Sequence, residues 1–266
     1  MMTLSMFVAR RRQSTVLPSG LTRKIASPYC RRGLTGRATA KVRITSNDGR
    51  PLDPSACIMR IMRSTRKSLA LAQHVASLGA CERCGLGPDV RPVISRASNP
   101  RAMLVGQAPG KVESEGGRPF SGRAGKTLFR WLAGAGIDEA TARETIYIAA
   151  ITRCYPGPHP SGRGDRVPTR QEQASCGDWL ESELRIIRPK LLIPVGRLAI
   201  ERFLPPVPLA ELIGTKHVVN HVGGRSIVIP LPHPSGASSW VYEAGNSLLV
   251  QKAIDLIADE LGVRVA

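Results

Sequence analysis

No stretch of this chain approaches the 18 apolar residues that a membrane-crossing helix needs, so no transmembrane helix is expected. Nor is a secretory signal expected, because neither an apolar core nor a small-residue cleavage site after it is clear. Acidic residues are scarce: 20 Asp and Glu stand against 38 Lys and Arg, for a net charge of +18. The shortage is sharpest at the start. Residues 1–67 hold 15 of the Lys and Arg and only two acids, Asp48 and Asp53. An arm of that composition lacks the apolar residues for a core and is expected to be disordered. It suits a polyanionic partner, and its Arg- and Ser-rich, acid-poor character also resembles a transit peptide. Met59 and Met62 stand just ahead of the first helical pattern and would serve as alternative starts. Two units are expected: a basic arm over residues 1–58 and a globular domain over 59–266.

One further absence removes a tempting reading. GRAGKT at 122–127 invites a phosphate-binding loop, but that motif needs a glycine five residues before Gly125, where Phe120 stands. Nucleotide hydrolysis is therefore not expected.

What is present is an alternation of short apolar runs and amphipathic stretches. RAMLV (101–105), TIYIAAI (145–151) and KLLIPV (190–195) read as buried strands. Helices are expected over 66–78, 125–135, 169–187, 196–203 and 245–261. The third opens with a capping box, Thr169 to Glu172. Val218–Val219 and Ile227–Ile229 read as strands around Gly223-Gly224. Alternation of this kind predicts a three-layer α/β/α domain on a mainly parallel, four-stranded sheet. Ligands of such sheets bind beyond the carboxyl ends of the strands. GQAPG (106–110), Cys154 and His233-Pro234-Ser235 all follow directly after expected strands, so they should gather on one edge.

Cys81 and Cys84 form a C-x-x-C pair, and Cys154 and Cys176 follow singly. In a large chain without a secretory signal such a pair reads as a metal or redox motif rather than a disulfide. Four thiolates can complete a zinc site or hold an iron–sulfur cluster. A zinc ribbon usually has two C-x-x-C knuckles and only one is present, which favours a 4Fe-4S cluster, with zinc as the alternative. Cys30 and Cys57 carry no assigned role.

Taken together, the GQAPG loop with GRPFSGRAG (117–125), AAITRC (149–154), CGDWLESEL (176–184) and LPHPS (231–235) resemble the uracil-DNA glycosylase superfamily. The likeness is to its iron–sulfur families four and five, and it covers residues 81 to about 255. The resemblance implies the fold of that superfamily and a monofunctional glycosylase that hydrolyses the N-glycosidic bond of uracil, or another deaminated base, in DNA. The base would be flipped out or taken from single strands. His233 would donate to the uracil O2 as charge develops there. Phe120 would stack on the base. Gln107, or the backbone of Gly106, Ala108, Pro109 and Gly110, would face the base and the water. Ser235 would pin a phosphate, and the cluster would be structural.

The chain departs from the family at three places, Gln107, Ser114 (where the family has a second loop acid) and Ala150. Gln107 stands where family four has a glutamate and cannot act as a base. Glu113 matches an acidic position of the loop and is the remaining carboxylate candidate. Ala150 stands where family four reads the base with an asparagine. The alternative is a relative that binds uracil-DNA without releasing the base, or traps it covalently through a loop histidine such as His159. The resemblance further implies a monomer, without membrane attachment, acting in the cytoplasm on bacterial DNA. The arm leaves a mitochondrial destination open.

Overall fold

The computed structural model describes residues 54–263, apart from Pro88, Asn99, Arg163 and 236–238. The expectations for residues 1–53 lie outside the described residues. One compact unit begins at Ser64 and holds everything discussed below. The boundary expected at residue 58 falls inside the first helix, α1 (Pro54–Gly79).

At the centre is a sheet of β1 (Ala102–Gly106), β2 (Ile146–Ala150), β3 (Leu191–Pro194), β4 (His217–His221) and β5 (Gly224–Val228), in the order β2-β1-β3-β5-β4. The β1–β2, β1–β3 and β3–β5 pairs are parallel, and β4–β5 is antiparallel. There are thus five strands where four were expected. The edge strand β4, read from Val218–Val219, makes the fifth, and it turns back on β5 through Val222-Gly223. Its burial alternates, because one of its faces is exposed. Every residue of β1 and β3 is buried, as expected of strands covered on both faces.

Helices α3 (Arg123–Ala133), α5 (Arg170–Ile187), α6 (Arg197–Glu201) and α8 (Asn246–Leu261) sit close to their expected positions. Three short helices were not anticipated: α2 (Lys111–Gly116), α4 (Glu139–Thr145) and α7 (Leu209–Leu212). The signal for α4 was present. Asp138 caps it by accepting from the Thr141 N–H at 2.9 Å and the Thr141 hydroxyl at 2.6 Å. Among the described residues no helix is long and apolar enough to cross a membrane.

The free edge of β2 is covered by chain rather than by another strand. Val93 N–H donates to the Arg153 carbonyl at 2.8 Å, and Ile148 N–H donates to Ser95 Oγ at 3.1 Å. Segment 93–97 therefore shields backbone groups that would otherwise invite pairing.

Candidate functional site

Strands β1, β2, β3 and β5 deliver their carboxyl ends to one side, and the expected motifs follow them there. Ile151 N–H donates to the Gly106 carbonyl at 2.9 Å, and Thr152 N–H donates to that of Gln107 at 3.2 Å. These bonds lock the end of β2, with Ala150, to the start of GQAPG. Beyond β3, Gly196 N–H donates to the Leu231 carbonyl at 2.9 Å, beside the Val195–Leu231 bridge. His233 comes next and packs on Gly196. A Cβ added to Gly196 would meet His233 Cδ2 at 3.1 Å, and its φ of 85° also favours glycine.

The His233 ring is oriented from its Nδ1 side. Ser235 N–H donates to Nδ1 at 3.2 Å, and Ser235 Oγ lies 2.7 Å from it. In neutral histidine an accepting Nδ1 leaves the proton on Nε2, which becomes a donor. Burial lowers the pKa of His233 below its ordinary value, so the neutral form persists to lower pH. Ser235 is thus committed to the histidine.

Phe120 is half-buried and holds a φ of 50°, a left-handed conformation costing a bulky residue about 1–3 kcal/mol. Its ring packs on Gly106: a Cβ at 106 would come within 3.2 Å of Phe120 Cζ. Gly125 lets α3 approach from the other end, since a Cβ there would lie 1.8 Å from the Phe120 carbonyl oxygen. The glycines of the motif therefore serve close packing around one aromatic ring.

Glu113 is buried, and its Oε1 accepts from the Gly122 N–H at 2.9 Å. It ties the Gly-rich loop together just ahead of α3. Its Oε2 faces the motif loop, 2.8 Å from where a Gly110 Cβ would stand, and Asp165 Oδ2 lies 2.9 Å from the same point. Sequence reading missed Asp165. It is carried by a small hairpin, closed by the Pro158–Asp165 bridge and by Arg166 N–H to the Gly157 carbonyl at 3.0 Å. Arg166 fixes this hairpin to α5 through a two-pronged pair with Glu172, at 2.5 and 2.8 Å. The Arg166 bonds hold the Glu172 carboxyl down at about 2.

The same hairpin holds His159, which the structure places on an exposed turn. A signal for its local fold lies in the sequence: the pentapeptide PHPSG occurs at 158–162 as well as at 232–236. The His-Pro-Ser part of the first copy repeats the hydrogen bonds between His233 and Ser235, with Ser161 N–H donating to His159 Nδ1 at 3.2 Å and Ser161 Oγ 2.8 Å away.

Cys81, Cys84, Cys154 and Cys176 line one cavity of about 370 Å³, together with Arg153 and Leu78. None is in a disulfide. Burial raises the Cys154 thiol to about 12, helped by the nearby Cys176, Cys84 and Cys81. Burial likewise raises Cys176, which Arg153 opposes. The Trp179 indole N–H donates to Cys81 Sγ at 3.2 Å, while the Arg83 guanidinium lies 4.8 Å from the Trp179 ring centre. No three of the described His, Cys, Asp or Glu side chains converge closely enough to share one metal ion.

Behind this cavity is a buried polar knot. Glu183 is fully buried and accepts from Tyr147 Oη at 2.8 Å and from Arg153 Nη2, with His74 Nε2 at 3.3 Å. Arg153 is 2% exposed, and its Nε–H has no partner among the described residues. A buried donor of that kind calls for an acceptor. Arg153 is also among the residues that line the cysteine cavity.

Comparison with known proteins adds a family to this geometry. The uracil DNA glycosylase superfamily profile matches residues 94–256. The chain is 33% identical to a type-4 uracil-DNA glycosylase of Thermotoga maritima over 157 residues, 58% of this chain and 76% of that one. A type-4 enzyme of Archaeoglobus fulgidus is 32% identical over 173 residues, 62% of this chain and 82% of the relative. A type-5 uracil-DNA glycosylase of Pyrobaculum aerophilum is 33% identical over 150 residues, 52% and 62% of the two chains.

Proposed function

Because the chain belongs to the uracil DNA glycosylase superfamily, we propose that it is a monofunctional glycosylase that releases uracil from DNA by hydrolysing the N-glycosidic bond. The observation that carries the site assignment is the gathering of the Gly106–Gly110 loop, Phe120 and His233 at the carboxyl ends of β1 and β3. Uracil turned out of the helix would stack on Phe120 and be enclosed by the backbone of Gly106, Gln107, Ala108, Pro109 and Gly110. His233, neutral and donating from Nε2, would bind O2 as the bond to the sugar breaks and negative charge moves onto the base. A donor aimed at developing charge stabilises the transition state more than the ground state.

Ala150 has no polar side chain with which to read the base, so recognition would rest on backbone groups and Gln107. Water would be positioned by the motif loop. Glu113 holds that loop in shape through Gly122, and its Oε2 faces Gly110 within it. Gln107, being neutral, would orient water without taking its proton. Ser235 would act on the ring of His233, which it already touches, rather than on a DNA phosphate.

The four cysteines suit a multi-iron cluster better than zinc. A zinc ribbon usually has two C-x-x-C knuckles, and only the Cys81–Cys84 pair is present. Four thiols lining one cavity of about 370 Å³ would suit such a larger group. Such a cluster supplies no step of the hydrolysis; it would tie the Cys81–Cys84 segment, the end of β2 and the start of α5 into one support. Iron and acid-labile sulfide in stoichiometric amount, with visible absorbance, are expected in purified protein. Stoichiometric zinc in a colourless protein would refute the cluster. The protein is expected to act as a monomer on DNA.

The deciding experiment is base release from labelled single- and double-stranded DNA carrying one uracil, comparing wild type with His233→Ala. Alkali-sensitive strand breakage by the wild type, lowered about 100- to 1,000-fold in the variant, is expected for loss of one such donor. Tight binding without release would favour a binding relative instead, and the same assay on hypoxanthine and xanthine would define the base.

A further inference from the structure

Phe120 does not hold its left-handed backbone by itself. Arg143, on α4, donates from Nη1 to the Pro119 carbonyl at 2.8 Å and from Nη2 to the Phe120 carbonyl at 3.0 Å. Its Nε donates to Glu139 Oε1 at 2.7 Å, so all three guanidinium nitrogens are engaged. The guanidinium plane also sits against the Phe129 ring, 4.4 Å from its centre. The side chain is 14% exposed. Its base, α4, is tied to the sheet where Arg101 N–H donates to the Thr145 carbonyl at 2.7 Å.

We infer that Arg143 is a positioning residue for the reaction: its fork on the 119 and 120 carbonyls sets the height and tilt of the Phe120 ring over Gly106. The inference rests on the reading of Phe120 as the ring that stacks on the base. Three features single out this one side chain. Two successive carbonyls held by one guanidinium fix the peptide planes on both sides of Phe120, which a single hydrogen bond does not. The residue between those planes is a non-glycine at positive φ, and strained residues of that kind persist only when their surroundings over-determine them. Finally, the Phe120 carbonyl is wedged between Arg143 and the bare Cα of Gly125, so it has no room to relax toward either side. Arg143 acts through Phe120 and need not touch DNA.

The chemistry demands arginine rather than any cation. Lysine offers a point charge with no planar fork and reaches one carbonyl at a time. Arg143→Lys keeps positive charge beside Phe129 and Glu139 while releasing the constraint on the 119–120 peptide. It is therefore the informative variant even if Arg143→Ala fails to fold.

The test is a double-mutant cycle in single-turnover uracil release, using wild type, Arg143→Lys, Phe120→Ala and the double variant, with melting temperature and DNA affinity measured for each. Misplacing a reacting group by about 1 Å can lower a rate about 100-fold. A loss on that order is expected for Arg143→Lys alone, in the rate rather than in DNA affinity. In the Phe120→Ala background the same substitution should change the rate less than about threefold, because residues that act through one another are not additive. Equal losses in both backgrounds would overturn the inference, as would a wild-type rate for Arg143→Lys. A wild type that releases no uracil would remove the glycosylase reading beneath it, which separates the two failures.

Discussion

At the scale of single residues, His233 and Glu183 invite different tests, one of activity against pH and one of stability. His233 is lowered by burial, and its neutral form is the one whose Nδ1 can accept from Ser235 N–H and so keep the ring oriented. A folded pKa below the unfolded one means the unfolded chain binds the proton more readily. The contribution of His233 to stability is therefore intact above the ordinary histidine value and lost as the pH falls through its lowered folded value. Uracil release should stay level as the pH drops through the range where free histidine titrates, then fall at lower pH. Substituting His233 with Gln should flatten that acid limb, and a limb unmoved by the substitution would assign it to another group. Glu183 poses a stability question instead. It is fully buried and takes hydrogen bonds from Tyr147 and Arg153. Removing one partner of such a pair leaves the other charge uncompensated, so Glu183→Ala should destabilise the fold by about 3–5 kcal/mol. Urea unfolding reads this directly. A midpoint unchanged from the wild type would mean that water reaches Arg153.

At the scale of elements, the start of α5 does more than begin a helix. Thr169 Oγ1 accepts from Glu172 N–H at 3.2 Å, and Glu172 returns a bond to Thr169 N–H at 2.7 Å. The same Glu172 holds Arg166 and with it the hairpin that carries His159 and Asp165. The hairpin is thus anchored one turn before Cys176. Thr169→Ala should cost about 1 kcal/mol, within a usual range of about 0.5–2. Because the Glu172 N–H then loses its acceptor and the first turn of α5 loosens, protease cleavage within residues 157–166 should also quicken. If the melting temperature falls while cleavage there does not change, the hairpin is held by Arg166–Glu172 alone. The capping box was legible in the sequence because it is a local pattern. The hairpin was not, since its partners are a bridge and an ion pair formed across a Pro- and Gly-rich stretch that has no period.

At the scale of the molecule, charge and the folded unit are unevenly matched. Residues 1–67 carry 15 Lys and Arg with two acids, whereas the remaining chain is nearly balanced, with 23 basic and 18 acidic residues. If the arm binds DNA, removing residues 1–58 should flatten the dependence of affinity on salt. Each phosphate that the shortened chain no longer neutralises changes the slope of log K against log salt by about 0.9. Uracil release itself should survive, because the site lies wholly in the unit that begins at Ser64. Equal slopes for the two chains would show that the arm does not touch DNA.

The sequence by itself determined the parallel strands, the edge on which the motifs meet, and the family, because each follows from local pattern or from a run of matched residues. It could not determine what Glu113 and Ser235 touch. Their neighbours, Gly122 for the one and the His233 ring for the other, are set by how the loops fold back. The grouping of four cysteines separated by up to 95 positions was an expectation from residue type, and only the packing of the 81–92 segment against the ends of β2 and α5 brings them to one cavity. The fork of Arg143 on Phe120 has no sequence signature at all. It needs a helix, a glycine-rich loop and a backbone at positive φ to be in place together, and that coincidence belongs to the tertiary structure.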